Sequence, residues 1–81
     1  MVTTEIDTDA SPAKAWHEDG IIHVSLDDGM HIAFPANITE RLKRATPAEL
    51  EEIELLPFGL HWPRVDEDLT IESLLRLGYG R

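Results

Sequence analysis

The chain has 81 residues, sixteen acidic side chains against seven basic ones, and a formal charge of −9. A surface of that sign repels a phosphate backbone and speeds encounter with cationic partners, so nucleic acid is not expected as a ligand of the lone chain. The absence of cysteine excludes a disulfide framework, a thiolate nucleophile and a cysteine-based zinc site.

Residues 1–11 are polar and acidic without periodicity, and are expected to form a flexible tail ahead of a single small α+β domain over residues 12–81. The start of the chain has neither a basic leader nor an apolar run, and no stretch approaches 18 apolar residues, so a cytoplasmic protein is expected. From Pro12 onward the pattern is that of strands: 13–17, Ile21–Leu26 and 30–34. In the second and third, Ile22, Val24 and Leu26 share one face, and Met30, Ile32 and Phe34 share another. A three-residue loop, Asp27-Asp28-Gly29 with Gly29 left-handed, pairs Leu26 with Met30, Val24 with Ile32 and Ile22 with Phe34. All six apolar side chains then fall on one side of an antiparallel meander. Glu18-Asp19-Gly20 repeats that chemistry. Read as the same loop, it sets Trp16 opposite Ile22 and adds Trp16 to the apolar face, leaving His23 and His31 on the polar one.

After Pro35 the period changes. Asn37 followed by Glu40 has capping-box spacing and opens a short helix over 38–45, with Ile38, Leu42 and Ala45 to one side. Thr46-Pro47-Ala48-Glu49 is a second start signal, a cap with proline at the first helical position and glutamate three residues after the cap. Two continuations fit. In one the helix is short and gives way to a strand over 53–56, which turns at Phe58-Gly59 into a second short hairpin. In the other a single helix runs over 47–56.

The stretch from Gly59 to Gly78 carries the densest local signals. A strand over 60–62 stops at Pro63, which has no N–H and holds Trp62 extended. Arg64 to Asp68 form an acidic turn. Thr70 is an N-cap, Leu69 and Leu74 stand at the ends of a hydrophobic staple, and Ile71, Leu74 and Leu75 form the apolar stripe of a C-terminal helix that Gly78 closes.

His61, Trp62 and Pro63 followed by Asp66, Glu67, Asp68 and Leu69 resemble the C-terminal signature of the domain of unknown function 2442 family of small bacterial proteins. The upstream order of strand, Asp28-Gly29, strand and short helical segment supports the likeness. The resemblance implies a small α+β domain, and the elements read above make it a three-stranded antiparallel meander, one or two short helices, a short second hairpin and a C-terminal helix. The resemblance also implies a suspected antitoxin standing beside a small toxin.

For the chemistry itself, His61 with Asp66 and Asp68 has ligand types suited to a divalent ion or to acid–base work, yet strand and turn geometry aims them in several directions. His17, His23 and His31 lie along the meander and could gather into a metal-binding or pH-sensitive patch. Both tryptophans suit a core, and either one, if exposed, would be a binding anchor. No cofactor is expected. The surface expected to face a partner comprises Trp62, Arg64, Asp66, Glu67, Asp68, Leu77 and Tyr79. That partner is a small basic protein, possible toxins included, with a second copy of the chain as another occupant. The leading expectation is thus a non-enzymatic, antitoxin-like binding module. A small metal-dependent enzyme or factor built on His61 with Asp66 or Asp68, and a regulator binding DNA with a partner, are the competing ones.

Overall fold

The computed structural model describes residues 10–80; most of the expected tail, residues 1–9, lies outside the described residues. The last residue of that tail is held in place. Ser11 donates its backbone N–H to the Asp27 carboxylate at 3.1 Å, and its carbonyl accepts the Asp27 N–H at 2.9 Å.

Alternating burial along β2 (Ile21–Leu26) organises the first sheet, with Ile22, Val24 and Leu26 enclosed and Ile21, His23 and Ser25 facing out. β2 lies between β1 (Pro12–Glu18) and β3 (His31–Pro35), both antiparallel to it. The expected register holds, with Ile22 opposite Phe34 and Val24 opposite Ile32. Gly29 has φ +95, the left-handed conformation that the three-residue loop requires. Met30 is the exception in this strand pair. Its carbonyl accepts the Leu26 N–H, but its own N–H is held by the Asp28 carboxylate at 2.9 Å. The strand starts one residue later, and Met30 remains 37% exposed rather than on the buried face.

The turn between β1 and β2 corrects the expected placement of Trp16. Asp19 and Gly20 have φ of 53 and 81, so the connection is a two-residue turn with both central residues left-handed. It pairs Glu18 with Ile21, His17 with Ile22 and Trp16 with His23. A one-residue change of register moves every side chain of a strand to the other face. Trp16 therefore lies on the outer face beside His23, and His17 takes the inner position, its side chain 9% exposed.

Two single-turn helices follow. α1 (Glu40–Lys43) is capped by Thr39, whose hydroxyl accepts the Leu42 N–H, and not by Asn37. The helix is shorter than the sequence implies, because Asn37 and Ile38 are spent in a turn closed by the Ile38 N–H on Pro35. α2 (Pro47–Leu50) has the expected capping box between Thr46 and Glu49, and the chain then passes into β4 (Glu54–Leu56), so the short-helix reading is the observed one.

β4, β5 (Gly59–Trp62) and β6 (Glu67–Thr70) form a second antiparallel sheet with β5 central. β6 is the element that the sequence did not announce: Glu67 and Asp68 are strand residues opposite Trp62 and His61, and the turn is confined to 63–66. α3 (Ile71–Arg76) leaves β6 without a linker. Its end is a Schellman closure at Gly78, φ +93, with the Tyr79 N–H on Leu74 and the Gly78 N–H on Leu75.

Both sheets and all three helices contribute to one cluster of enclosed side chains. Ile22, Val24 and Phe34 come from the first sheet, Leu42 and Leu50 from the short helices, Leu60 and Trp62 from β5, and Ile71 and Leu74 from α3. Because α3 is only six residues long, its cap matters. The Thr70 hydroxyl accepts the Ser73 N–H at 3.1 Å, and Thr70→Ala should cost about 1 kcal/mol, whereas Thr70→Ser keeps the oxygen. The two variants should separate by that amount in urea midpoint.

Candidate functional site

The segment from Trp62 to Tyr79 holds every residue expected to face a partner, and the fold sorts them into buried and exposed. Trp62 is fully enclosed and donates its indole N–H to the Leu50 carbonyl at 3.2 Å, so it is a core residue and no part of a binding surface. Arg64 and Asp66 stand in the turn beyond it. The Val65 N–H closes that turn on the Trp62 carbonyl at 3.3 Å, and Asp66 takes the left-handed conformation at φ 55 that redirects the chain into β6. Arg41 of α1 donates to the Asp66 backbone carbonyl and lies 3.8 Å from its carboxylate. Arg64 reaches Glu52 at 3.2 Å.

Glu67 and Asp68 project from an edge strand and do not crowd the helix start, since Thr70 performs the capping. Their alternation along β6 sends them to opposite faces. Leu77 is 63% exposed past the end of α3, while Tyr79 folds back half-buried with its ring 6.2 Å from Phe34. The structure therefore leaves Arg64, Asp66, Asp68 and Leu77 exposed and Glu67 and Tyr79 partly covered. Phe58, which sequence reasoning treated only as a turn residue, is 64% exposed at the tip of the β4–β5 hairpin, and Leu55 is 44% exposed on the edge strand β4. An aromatic residue between proline and glycine in a hairpin turn has nothing to pack against, which was the available signal.

On the outer face of the second sheet the register places His61 between Glu54 and Asp68. Asp66 is not part of that row and instead meets Arg41. Among the described residues no three or more His, Asp or Glu side chains are grouped so as to hold a metal ion.

A second cluster lies on the outer face of the first sheet. The Trp16 ring stacks on His23 at 5.1 Å between centroids and 10° between planes, His31 meets Trp16 edge-on at 6.0 Å, and the Lys14 ammonium sits 5.2 Å from the Trp16 ring centre. His23 Nδ1 and His31 Nε2 are 3.2 Å apart. The expected gathering of histidines thus takes in His23 and His31 but not His17, which lies on the inner face, accepts the Gly20 N–H on Nε2 at 3.2 Å and has Nδ1 3.6 Å from the Glu51 carboxylate.

The basic residues of the helical region are largely engaged: Arg41 with Asp66, and Arg44 with Glu40 at 3.5 Å. Exposed pairs of this kind are worth at most about 1 kcal/mol each, but they leave the excess of carboxylates to dominate the surface field. Among the described residues no helix is long and apolar enough to cross a membrane.

Comparison with known proteins gives two matches of different kinds. A family model described as a protein of unknown function (DUF2442) matches residues 12–80. A crystal structure of a protein of unknown function from Rhodospirillum rubrum ATCC 11170 superposes with a TM-score of 0.79 at 29% identity, covering 91% of this chain and 94% of that one. No curated protein matches the chain.

Proposed function

The chain belongs to the DUF2442 family, and from that membership we propose that it is a non-enzymatic cytoplasmic binding module whose partner is a small basic protein. The single observation that supports this best is a surface of formal charge −9 interrupted by large exposed apolar side chains, Phe58 at 64% and Leu77 at 63%. Carboxylates steer a cationic partner and reject anionic ones, while the buried apolar contact supplies the affinity. Asp66 and Asp68 border the turn and the edge strand β6. On this reading the module is the antitoxin of a toxin–antitoxin pair.

The test uses tagged full-length chain to capture proteins from its host at low salt, followed by reconstitution with the purified candidate. A basic partner should bind the parent chain, should associate more slowly as salt rises, and should bind Leu77→Asp or Phe58→Asp at least about tenfold more weakly, a loss of about 1.4 kcal/mol. Both variants should keep the parent's far-ultraviolet spectrum. A partner that binds the parent and both variants equally, or turnover of a substrate by the isolated chain, would count against this reading.

A second reading, a metal-dependent factor using His61 with Asp66 or Asp68, has the cross-strand pairing of His61 with Asp68 behind it. That reading requires a stoichiometric divalent ion whose stabilising effect disappears in His61→Ala.

A further inference from the structure

We propose that His23 and His31 form a two-histidine site for a nitrogen-preferring transition-metal ion of the Zn(II), Ni(II) and Cu(II) class. The site lies on the outer face of the first sheet, apart from His61 and from the acidic turn.

Metal–imidazole bonds of about 2.0–2.1 Å meeting near the tetrahedral angle place their nitrogens about 3.3 Å apart. His23 Nδ1 and His31 Nε2 are 3.2 Å apart, with ring centroids 5.3 Å apart and planes inclined at 59°, so their spacing matches that of two ligands on one ion. The two residues come from different strands and stand diagonally across the ladder, since His23 is opposite Ala33 and His31 is opposite Ser25. Those opposing side chains are short, which leaves room above the sheet for the coordination positions that water would occupy.

The rings are also held in place. Trp16 stacks on His23 and meets His31 edge-on, so one indole braces both ligands. Such outer partners, which fix ligand orientation, are part of what makes a metal site. A hydrogen bond between the two nitrogens uses the N–H of one ring and the lone pair of the other. When an ion takes that position the proton passes through solvent to the far nitrogen of the same ring, so both imidazoles remain neutral and each presents a lone pair. Imidazole ligands select Zn(II), Cu(II) and Ni(II) over Mg(II) and Ca(II), which prefer oxygen, and the net negative field of the chain raises the local cation concentration.

The test is a titration of tag-free protein with Zn(II), and in parallel with Ni(II), at neutral pH. The expected result is one equivalent per chain. His23→Gln and His31→Gln, which keep polar side chains on a solvent-facing sheet surface, should each weaken binding by about tenfold or more, because even outer partners of a ligand carry that much. His61→Ala should leave binding unchanged. Bound ion should alter the emission of Trp16, and Trp16→Phe should remove that response while retaining the ion. Acidification should weaken binding, since protons compete for the same nitrogens. Saturable binding that survives both glutamine variants overturns the proposal, as does the absence of saturable binding. Binding lost only in His61→Ala also overturns it and supports the second reading given above.

Discussion

Trp62→Ala should remove about 3–5 kcal/mol of stability, the range for deleting a buried aromatic side chain. A domain of this size has roughly 0.05–0.15 kcal/mol per residue in total, about 4–12 kcal/mol, so the variant should lose a large share of its stability. Two contributions combine. Trp62 is among the fully enclosed side chains of the single core cluster to which both sheets and all three helices contribute, and its loss leaves a cavity in that cluster. Its indole N–H also satisfies the Leu50 carbonyl. α2 is one turn long, and the last carbonyls of a helix have no partner within it. The bond from Trp62 meets that need and ties α2 to β5. Trp62→Phe separates the contributions, since it keeps most of the apolar volume and leaves the carbonyl unpaired, at about 1–3 kcal/mol. Urea unfolding followed by far-ultraviolet circular dichroism gives both values independently of tryptophan emission. A Trp62→Ala midpoint close to that of Trp62→Phe would show that packing around the ring carries little of the stability.

The two tryptophans also show where the fold was legible in the sequence and where it was not. The β2–β3 register could be read because six apolar residues had to share a face, and only a three-residue loop achieved it. Across β1–β2 the same letters, acid-acid-glycine, made a two-residue turn instead. The inner positions of β1 hold Ala15 and His17, which are weak apolar markers, so the large Trp16 drew the assignment to the wrong face. β6 was hidden for a different reason. Glu67 and Asp68 are poor strand formers by propensity, and the strand exists because β5 supplies a ladder and Leu69 packs opposite Leu60. For the candidate surface, composition was enough to show its charge. Which aromatic residue is enclosed and which is not depends on strand pairings between residues far apart in sequence, so nothing local decides between core and surface for Trp62 or joins Trp16, His23 and His31 into a unit. Local capping, by contrast, was readable at Thr46, Thr70 and Gly78, because each of those interactions closes within a few residues.

Gly59→Ala should cost more than alanine at any of the three glycines with positive φ, for a reason that differs from theirs. The φ angles of Gly20, Gly29 and Gly78 are positive, and each has open space where a β-carbon would go, so alanine there meets backbone strain of about 1–2 kcal/mol and nothing else. Gly59 is buried, and a β-carbon on it would collide with the Leu69 carbonyl oxygen and lie 3.0 Å from the Thr70 α-carbon. Both obstacles are backbone, so no side chain can swing aside. Relief requires β6 to move away from β5. β6 is joined directly to α3, and the Ile71 N–H is bonded to the Phe58 carbonyl at 2.9 Å beside this glycine, so the displacement would pull the helix start out of place as well. Overpacking typically costs about 1–3 kcal/mol and more where the backbone must shift, which places Gly59→Ala at about 3 kcal/mol. For a domain of this length that corresponds to a loss of roughly 12–24 °C in melting temperature. Gly20→Ala, as the control for strain without crowding, should lose less, about 1–2 kcal/mol. Hydrogen exchange should locate the damage, with the amides of β6 and of the first turn of α3 losing protection while those of β2 keep theirs. Equal melting temperatures for the two variants would mean that β5 and β6 do not approach closely at Gly59, and that the direct passage from edge strand to capped helix does not depend on the absence of a side chain there.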